Sequence, residues 1–167
     1  MVVGVDFSTK ALHCCFGEEG EQPQLARLEI ASSDTEGQTG LVFELLGGLL
    51  RAVQERYDCE PGLLVIERPW AGSNARSVVK LGQIQGAVMA TAYAHGWVVK
   101  EQDPSAIRKT VVGQGTARGK GAIKEIVRNW VKMVYKIDVS EDAADAIVIW
   151  SYGQVVSKST RRGLLGE

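Results

Sequence analysis

The chain has 167 residues, of which 45% are apolar and 23% charged. That is enough for one well-filled core and too short for two comfortable domains, so a single unit over residues 1–157 with a short basic tail at 158–167 is expected. No apolar run reaches the roughly 20 residues of a membrane span, and no basic stretch leads into an apolar one as in a signal peptide. Cys14, Cys15 and Cys59 are odd in number and lack CxxC spacing, which argues against a disulfide framework or a zinc site and for a reduced, cytoplasmic protein. The formal net charge of −1 conceals an asymmetry. Residues 1–67 carry 4 Lys/Arg against 12 Asp/Glu, whereas residues 100–136 carry 9 against 3, so one segment is suited to phosphates although the whole chain is not a polycation.

Residues 2–8 (VVGVDFS) read as a buried strand that carries an acid, Asp6, near its end. Residues 11–18 and 24–30 read as two more strands, with Gly17, Gly20 and Pro23 supplying turns, so the three form an antiparallel meander. Leu41, Leu45, Leu49, Ala52 and Val53 recur at helical spacing over residues 39–57. That helix returns the chain to a fourth strand at 63–67 (LLVIE), which the right-handed crossover rule makes parallel to the first. This strand also ends in an acid, Glu67. A long helix follows, capped by Ser73 or Asn74 and running to about residue 95. Gly82, Gly86, Ala90 and Ala94 recur along it every four residues, a small-residue groove suited to packing on its own sheet or to a dimer seam.

Residues 97–102 read as the fifth strand, and Pro104 opens a short helix to about residue 110. The glycine-rich stretch 113–121 (GQGTARGKG) carries Arg118 and Lys120. An amphipathic helix over residues 120–135 follows, with an apolar face of Ile123, Ile126, Val127, Trp130, Val131 and Val134. Its other side carries Lys120, Lys124, Arg128 and Lys132, a stripe that reads either as a solvated face or as a phosphate-tracking surface beside the basic loop. The last helix starts near residue 140 and runs to about 156, ahead of a frayed tail with Lys158, Arg161 and Arg162. Asp142 and Asp145 lie on it three residues apart, which puts them on one face.

Asp6, Glu67, Asp142 and Asp145 therefore stand at strand ends and on a helix start that the topology can bring to one point. Four bare carboxylates so placed repel one another by about 4 kcal/mol per pair at 4 Å and an effective dielectric near 20, and need cations to coexist. Hard oxygen donors without histidine or cysteine select Mg²⁺ or Mn²⁺, and a divalent pair suits phosphodiester hydrolysis. Arg76 and Lys80, on the long helix, are placed to meet phosphates near the mouth of such a site.

The order β-β-β-α-β-α-β-α with a strand acid, a second strand acid and a late DxxD helix resembles the ribonuclease H-like superfamily. Within it, the segments GVDFSTKALHC, VIERPW with SNARSVVKLGQIQG, RKTVVGQGTARGKGAIKEIV and EDAADAIVIW resemble, in order and over nearly the whole chain, the RuvC family of Holliday junction resolvases. The resemblance implies an α/β fold with a five-stranded mixed sheet flanked by helices. It also implies a homodimer, with the helix at residues 74–95 as the candidate seam, that binds four-way DNA junctions. Two symmetric nicks would be made with two Mg²⁺ ions per site, or Mn²⁺ in their place, leaving 5′ phosphates and 3′ hydroxyls. Carried over by position, the metal-binding and catalytic acids are Asp6, Glu67, Asp142 and Asp145. Trp70 stands where the family has an aromatic residue thought to stack on unpaired bases, and Lys109, Arg118 and Lys120 fall where it holds basic residues for the DNA backbone. An apparent insertion in GTARGKG leaves two candidates, Arg118 and Lys120, for one of those positions. A phage-encoded member, acting in an infected prokaryotic host, is one form this resemblance can take.

Three other readings compete. An actin-like or sugar-kinase nucleotide binder shares the GxDxS/T strand but needs two such lobes, and no nucleotide cofactor is expected here. A DNA-structure-binding module without turnover would lack one of the acids. A broader branched-DNA or flap nuclease of the same fold is compatible with every motif.

Overall fold

The computed structural model describes residues 1–69, 75–119 and 121–165, with side chains as far as residue 158. Five strands form one mixed sheet in the order β3-β2-β1-β4-β5. β1 (Val2–Phe7), β2 (Ala11–Phe16) and β3 (Gln24–Glu29) are the antiparallel meander. The turn between β1 and β2 is closed by Ser8, whose Oγ accepts the backbone N–H of Lys10 at 3.2 Å and of Ala11 at 3.1 Å. Asp6 is therefore left out of that turn. α1 (Thr35–Tyr57) is capped by Asp34, which accepts the Gly37 N–H at 2.6 Å, and its C-terminus ends on Asp58 in the left-handed conformation. It delivers the chain to β4 (Leu63–Glu67), parallel to β1.

α2 (Ala75–Ala94) leads to β5 (Val98–Gln102), parallel to β4. Trp97 precedes this strand and is a core residue instead, 1% exposed, with its indole N–H 3.3 Å from Gln54 Oε1. α3 (Pro104–Val112) and α4 (Ala122–Tyr135) follow. α5 (Glu141–Leu165) extends nine residues beyond the expected end near 156, so most of the basic tail is helical. Loss of the apolar pattern after Val156 ends the buried stripe, but SKSTRR holds no helix breaker.

Alternation along the strands sorts the core into two layers. Val3, Val5, Leu12, Cys14, Leu64 and Ile66 face α1 and α2. Val2, Cys15 and Val65 face α3, α4 and α5. α5 crosses β1 at close range because Gly4 has no side chain: a Cβ there would lie 2.7 Å from Trp150 Cα and 2.8 Å from the Ala146 carbonyl oxygen. Among the described residues, no helix is long and apolar enough to cross a membrane.

The small-residue stripe of α2 does not pack on the sheet. Ile84, Val88, Thr91 and Ala92 take that role, while Gly82, Gly86, Ala90 and Ala94 are exposed, with no atom within 4 Å of a Cβ built on either glycine. Val79 and Tyr93 on the same helix are also exposed.

Candidate active site

Parallel pairing of β1 with β4 makes both strands finish at one edge of the sheet, with Val5 opposite Ile66 just before the two acids. By alternation, Asp6 shares its face with Val2 and Gly4, and Glu67 shares its face with Val65. Both therefore look toward α5, whose first two turns carry Asp142 and Asp145. The close crossing at Gly4 holds α5 over this edge, so the four acids come from three separate rigid elements.

The four are close enough to perturb one another. Asp6 is raised to about 8, first by burial and then by repulsion from Asp145, Glu67 and Asp142. Glu67 is raised to about 7 by burial and by Asp145. Asp145 is raised to about 6, mainly by burial, with Lys124 and Arg108 opposing the rise. Near neutral pH the cluster holds protons that a cation would displace. Among the described residues no three Asp, Glu, His or Cys side chains already form a closed metal cage. The acids act on one another electrostatically across this edge without forming a ready-made cage. Their all-oxygen donor set, buried charge deficit and open arrangement fit hard divalent ions.

Two further side chains reach this mouth. Arg108, on α3, places Nη1 3.9 Å from Glu67 Oε1, is itself mostly buried, and donates from Nε to the Gly115 carbonyl at 3.3 Å. Its charge lowers both Glu67 and Asp145. Arg68, next to Glu67 in sequence, turns instead to Glu101 at 2.6 Å. The neighbouring Lys109, the residue singled out from sequence, is exposed on another side of α3. The second is His13, paired with Asp6 across β1 and β2. It is 8% exposed, its Nδ1 is buried without a hydrogen-bond partner, and burial lowers its pKa while the Asp142 charge raises it. The signal for both residues was weak: RK offered two adjacent cations, and a histidine inside an apolar strand is ordinarily core.

The remaining candidates separate. Trp70 and Lys120 lie outside the described residues. Arg76 and Lys80 line a groove of about 460 Å³ between the starts of α1 and α2, together with Ser33, Asp34 and Thr35. Arg118 is exposed on the glycine-rich loop. The α4 stripe is engaged by acids: Lys124 with Glu141 at 2.8 Å, Arg128 with Asp138 at 3.1 Å and Lys132 with Asp138 at 3.5 Å. Lys124 also acts on the cluster, lowering Asp6 and Asp145.

Residues 9–150 match the family model described as crossover junction endodeoxyribonuclease RuvC. The chain belongs to the RuvC family. The match begins three residues after Asp6 and includes Glu67, Asp142 and Asp145. A RuvC of Rhodospirillum rubrum is 35% identical over 122 residues, covering 72% of this chain and 68% of the relative. A RuvC of Bdellovibrio bacteriovorus is 35% identical over 109 residues, 64% of this chain and 61% of the relative. The aligned part of the Hydrogenovibrio crunogenus RuvC is shorter, 49% of that protein. Among solved structures, Thermus thermophilus RuvC superposes with a TM-score of 0.70 at 18% identity, covering 95% of this chain and 96% of the other. The same protein in complex with Holliday junction substrate gives 0.71 at 18% identity, covering 95% of each chain. The yeast mitochondrial Holliday junction resolvase gives 0.54 at 16% identity, over 96% of this chain and 81% of that one. At these identities the structural matches establish the ribonuclease H-like fold.

Proposed function

We propose that this RuvC family member is a metal-dependent endonuclease that resolves four-way DNA junctions in the cytoplasm of a prokaryotic cell or phage-infected host. The observation that supports the reading is the placement of Asp6 and Glu67 at neighbouring strand ends under the α5 turns that carry Asp142 and Asp145, where burial first, and neighbouring acids second, raise Asp6 and Glu67, and burial raises Asp145. Asp6, Glu67, Asp142 and Asp145 would hold two Mg²⁺ ions, or Mn²⁺ in their place. When bound, such ions supply water activation and stabilisation of the leaving 3′ oxygen in phosphodiester hydrolysis. The protein's own contribution is positional. β1 and β4 fix two acids by sheet pairing, α5 fixes two by its contact at Gly4, and the partial burial of Asp6 and Glu67 limits bulk water at the base of the site. Arg108, anchored by Gly115, offsets the charge of Glu67 and keeps further N–H donors for a phosphate oxygen.

Two symmetric nicks require two sites related by a two-fold axis, and hence a homodimer. The outward stripe of Gly82, Gly86, Ala90 and Ala94, flanked by exposed Val79 and Tyr93, supports α2 as the seam. Trp70, Arg76, Lys80, Lys109, Arg118, Lys120, Lys124 and Arg128 are the proposed DNA contacts. Arg108 joins them on its geometry, and acid pairing reduces the part assigned to Lys124 and Arg128. The test compares wild type and Asp6→Asn on a mobile four-way junction, a flap and a linear duplex, each with Mg²⁺, Mn²⁺ or EDTA. Paired symmetric nicks confined to the junction, absent from the variant and from EDTA, are the expected result. Equal cutting of flaps would replace junction choice by a broader branched-DNA activity, and no metal-dependent cutting would overturn the enzyme reading.

A further inference from the structure

We propose that His13 is a fifth metal ligand of this site, a nitrogen donor that tilts an otherwise all-oxygen centre from Mg²⁺ toward Mn²⁺. The placement follows from register. Asp6 and His13 are directly opposed in the antiparallel β1–β2 pair, so their side chains leave the same face of the sheet, about 5 Å apart at Cβ. That face is the one α5 covers, since Cys15, two residues along β2, packs in the α5 layer. His13 is thus bounded by Asp6 on β1, by the Asp142 charge from α5 and by Arg27, its cross-strand neighbour on β3.

Two observations point to a ligand rather than to core packing. The residue keeps only 8% exposure, yet its buried Nδ1 has no hydrogen-bond partner among the described residues. A buried ring nitrogen in a finished core is ordinarily paired. The available partners at this position are acids, which themselves call for a cation.

The chemistry gives the selectivity. Mg²⁺ seeks oxygen in near-ideal octahedral geometry and keeps its waters, whereas first-row transition ions accept imidazole readily. One nitrogen among four carboxylates favours Mn²⁺ without making the site a zinc centre, which would use more nitrogen or sulfur. This inference rests on the reading of the acids as the metal site, and the experiment separates the two.

The chain has two histidines, so ¹⁵N-histidine labelling reports a histidine ligand and a His95→Gln variant assigns it to His13. His95 follows α2 at the opposite end of the sheet, against Phe43 and Gly47. Full-length protein, made with ordinary or ¹⁵N-labelled histidine, is loaded with Mn²⁺ alone and examined by electron spin-echo envelope modulation, with Mn²⁺ and Mg²⁺ affinities measured by calorimetry. The expected result is a directly bonded ¹⁴N coupling in the wild type, replaced by a ¹⁵N signature on labelling. Loss of the coupling in His13→Gln should accompany about a tenfold weaker Mn²⁺ affinity and a smaller change for Mg²⁺. Mn²⁺ bound in the wild type, lost in Asp6→Asn, but without nitrogen coupling overturns the role of His13 and leaves the acid site standing. No Mn²⁺ binding that depends on Asp6 overturns both. Labelled His95→Gln, in which His13 is the one remaining histidine, gives the answer even where His13→Gln does not fold.

Discussion

Replacing Asp6 by Asn should stabilise the metal-free protein, and do so only at neutral and alkaline pH. The carboxyl is raised from an ordinary 3.8 to about 8 by burial and by its three acidic neighbours. The folded state therefore binds a proton that the unfolded state has released between about pH 4 and pH 8. Stability that this group confers below pH 4 is lost as the pH climbs through that window. A rise of about 4 units at 1.36 kcal/mol per unit sets an upper limit of about 5 kcal/mol at pH 8. Asp6, Glu67 and Asp145 titrate as one set, and protonating one relieves the others, so a net effect of about 2–3 kcal/mol is expected. Asn, isosteric with the protonated acid, carries no such penalty. Thermal melts in EDTA should place Asp6→Asn roughly 5–10 °C above wild type at pH 8 and level with it at pH 4. Adding Mg²⁺ or Mn²⁺ at pH 8 should raise the wild type and leave the variant unmoved, because binding exchanges protons for the cation. A melting difference independent of pH would refute the claim that the carboxylate cluster is strained by its own charge.

Further expectations concern other parts of the molecule. Arg108→Ala should lower cleavage of a four-way junction about 100-fold while junction binding in EDTA falls only a few-fold, whereas Lys109→Ala should alter salt-dependent binding alone; the opposite ranking in single-turnover assays would return the role to Lys109. Gly4→Ala should destabilise by about 3 kcal/mol or more in urea titrations, since the new methyl meets the α5 backbone rather than a side chain that can turn away; a wild-type midpoint would mean that α5 is free to shift. Because Arg128 and Lys132 already pair with Asp138, replacing both by Gln should change the salt slope of junction binding by less than one, and a slope reduced by about two would show that DNA displaces those pairs.

Much of this arrangement was legible from the order of residues. Apolar runs of the right length fixed five strands, and the crossover through α1 fixed the parallel pairing of β1 with β4. The acids announced themselves because Asp6 and Glu67 end runs that otherwise avoid charge, and Asp142 and Asp145 occur at a helical spacing among alanines. Such signals are local: each depends on residues a few positions apart.

What only the tertiary structure decided involves phase and partnership between distant segments. Arg108 and Lys109 are equivalent as a sequence, and the capping of α3 by Asp103 together with the Gly115 carbonyl sets which of them turns toward Glu67. The α4 cations read as free until Asp138 and Glu141, in the following loop and helix, fold back onto them. The glycines of α2 gave no direction of their own, and the packing of Ile84 and Val88 sent them outward. His13 carries no signal of its own inside an apolar run, because what sets it apart is one register, the pairing opposite Asp6. Sequence determined which elements form and where their anomalies lie, since hydrophobic period and steric turn chemistry act at short range. The fold decided which anomalies meet, because burial and charge act between groups that only packing brings together.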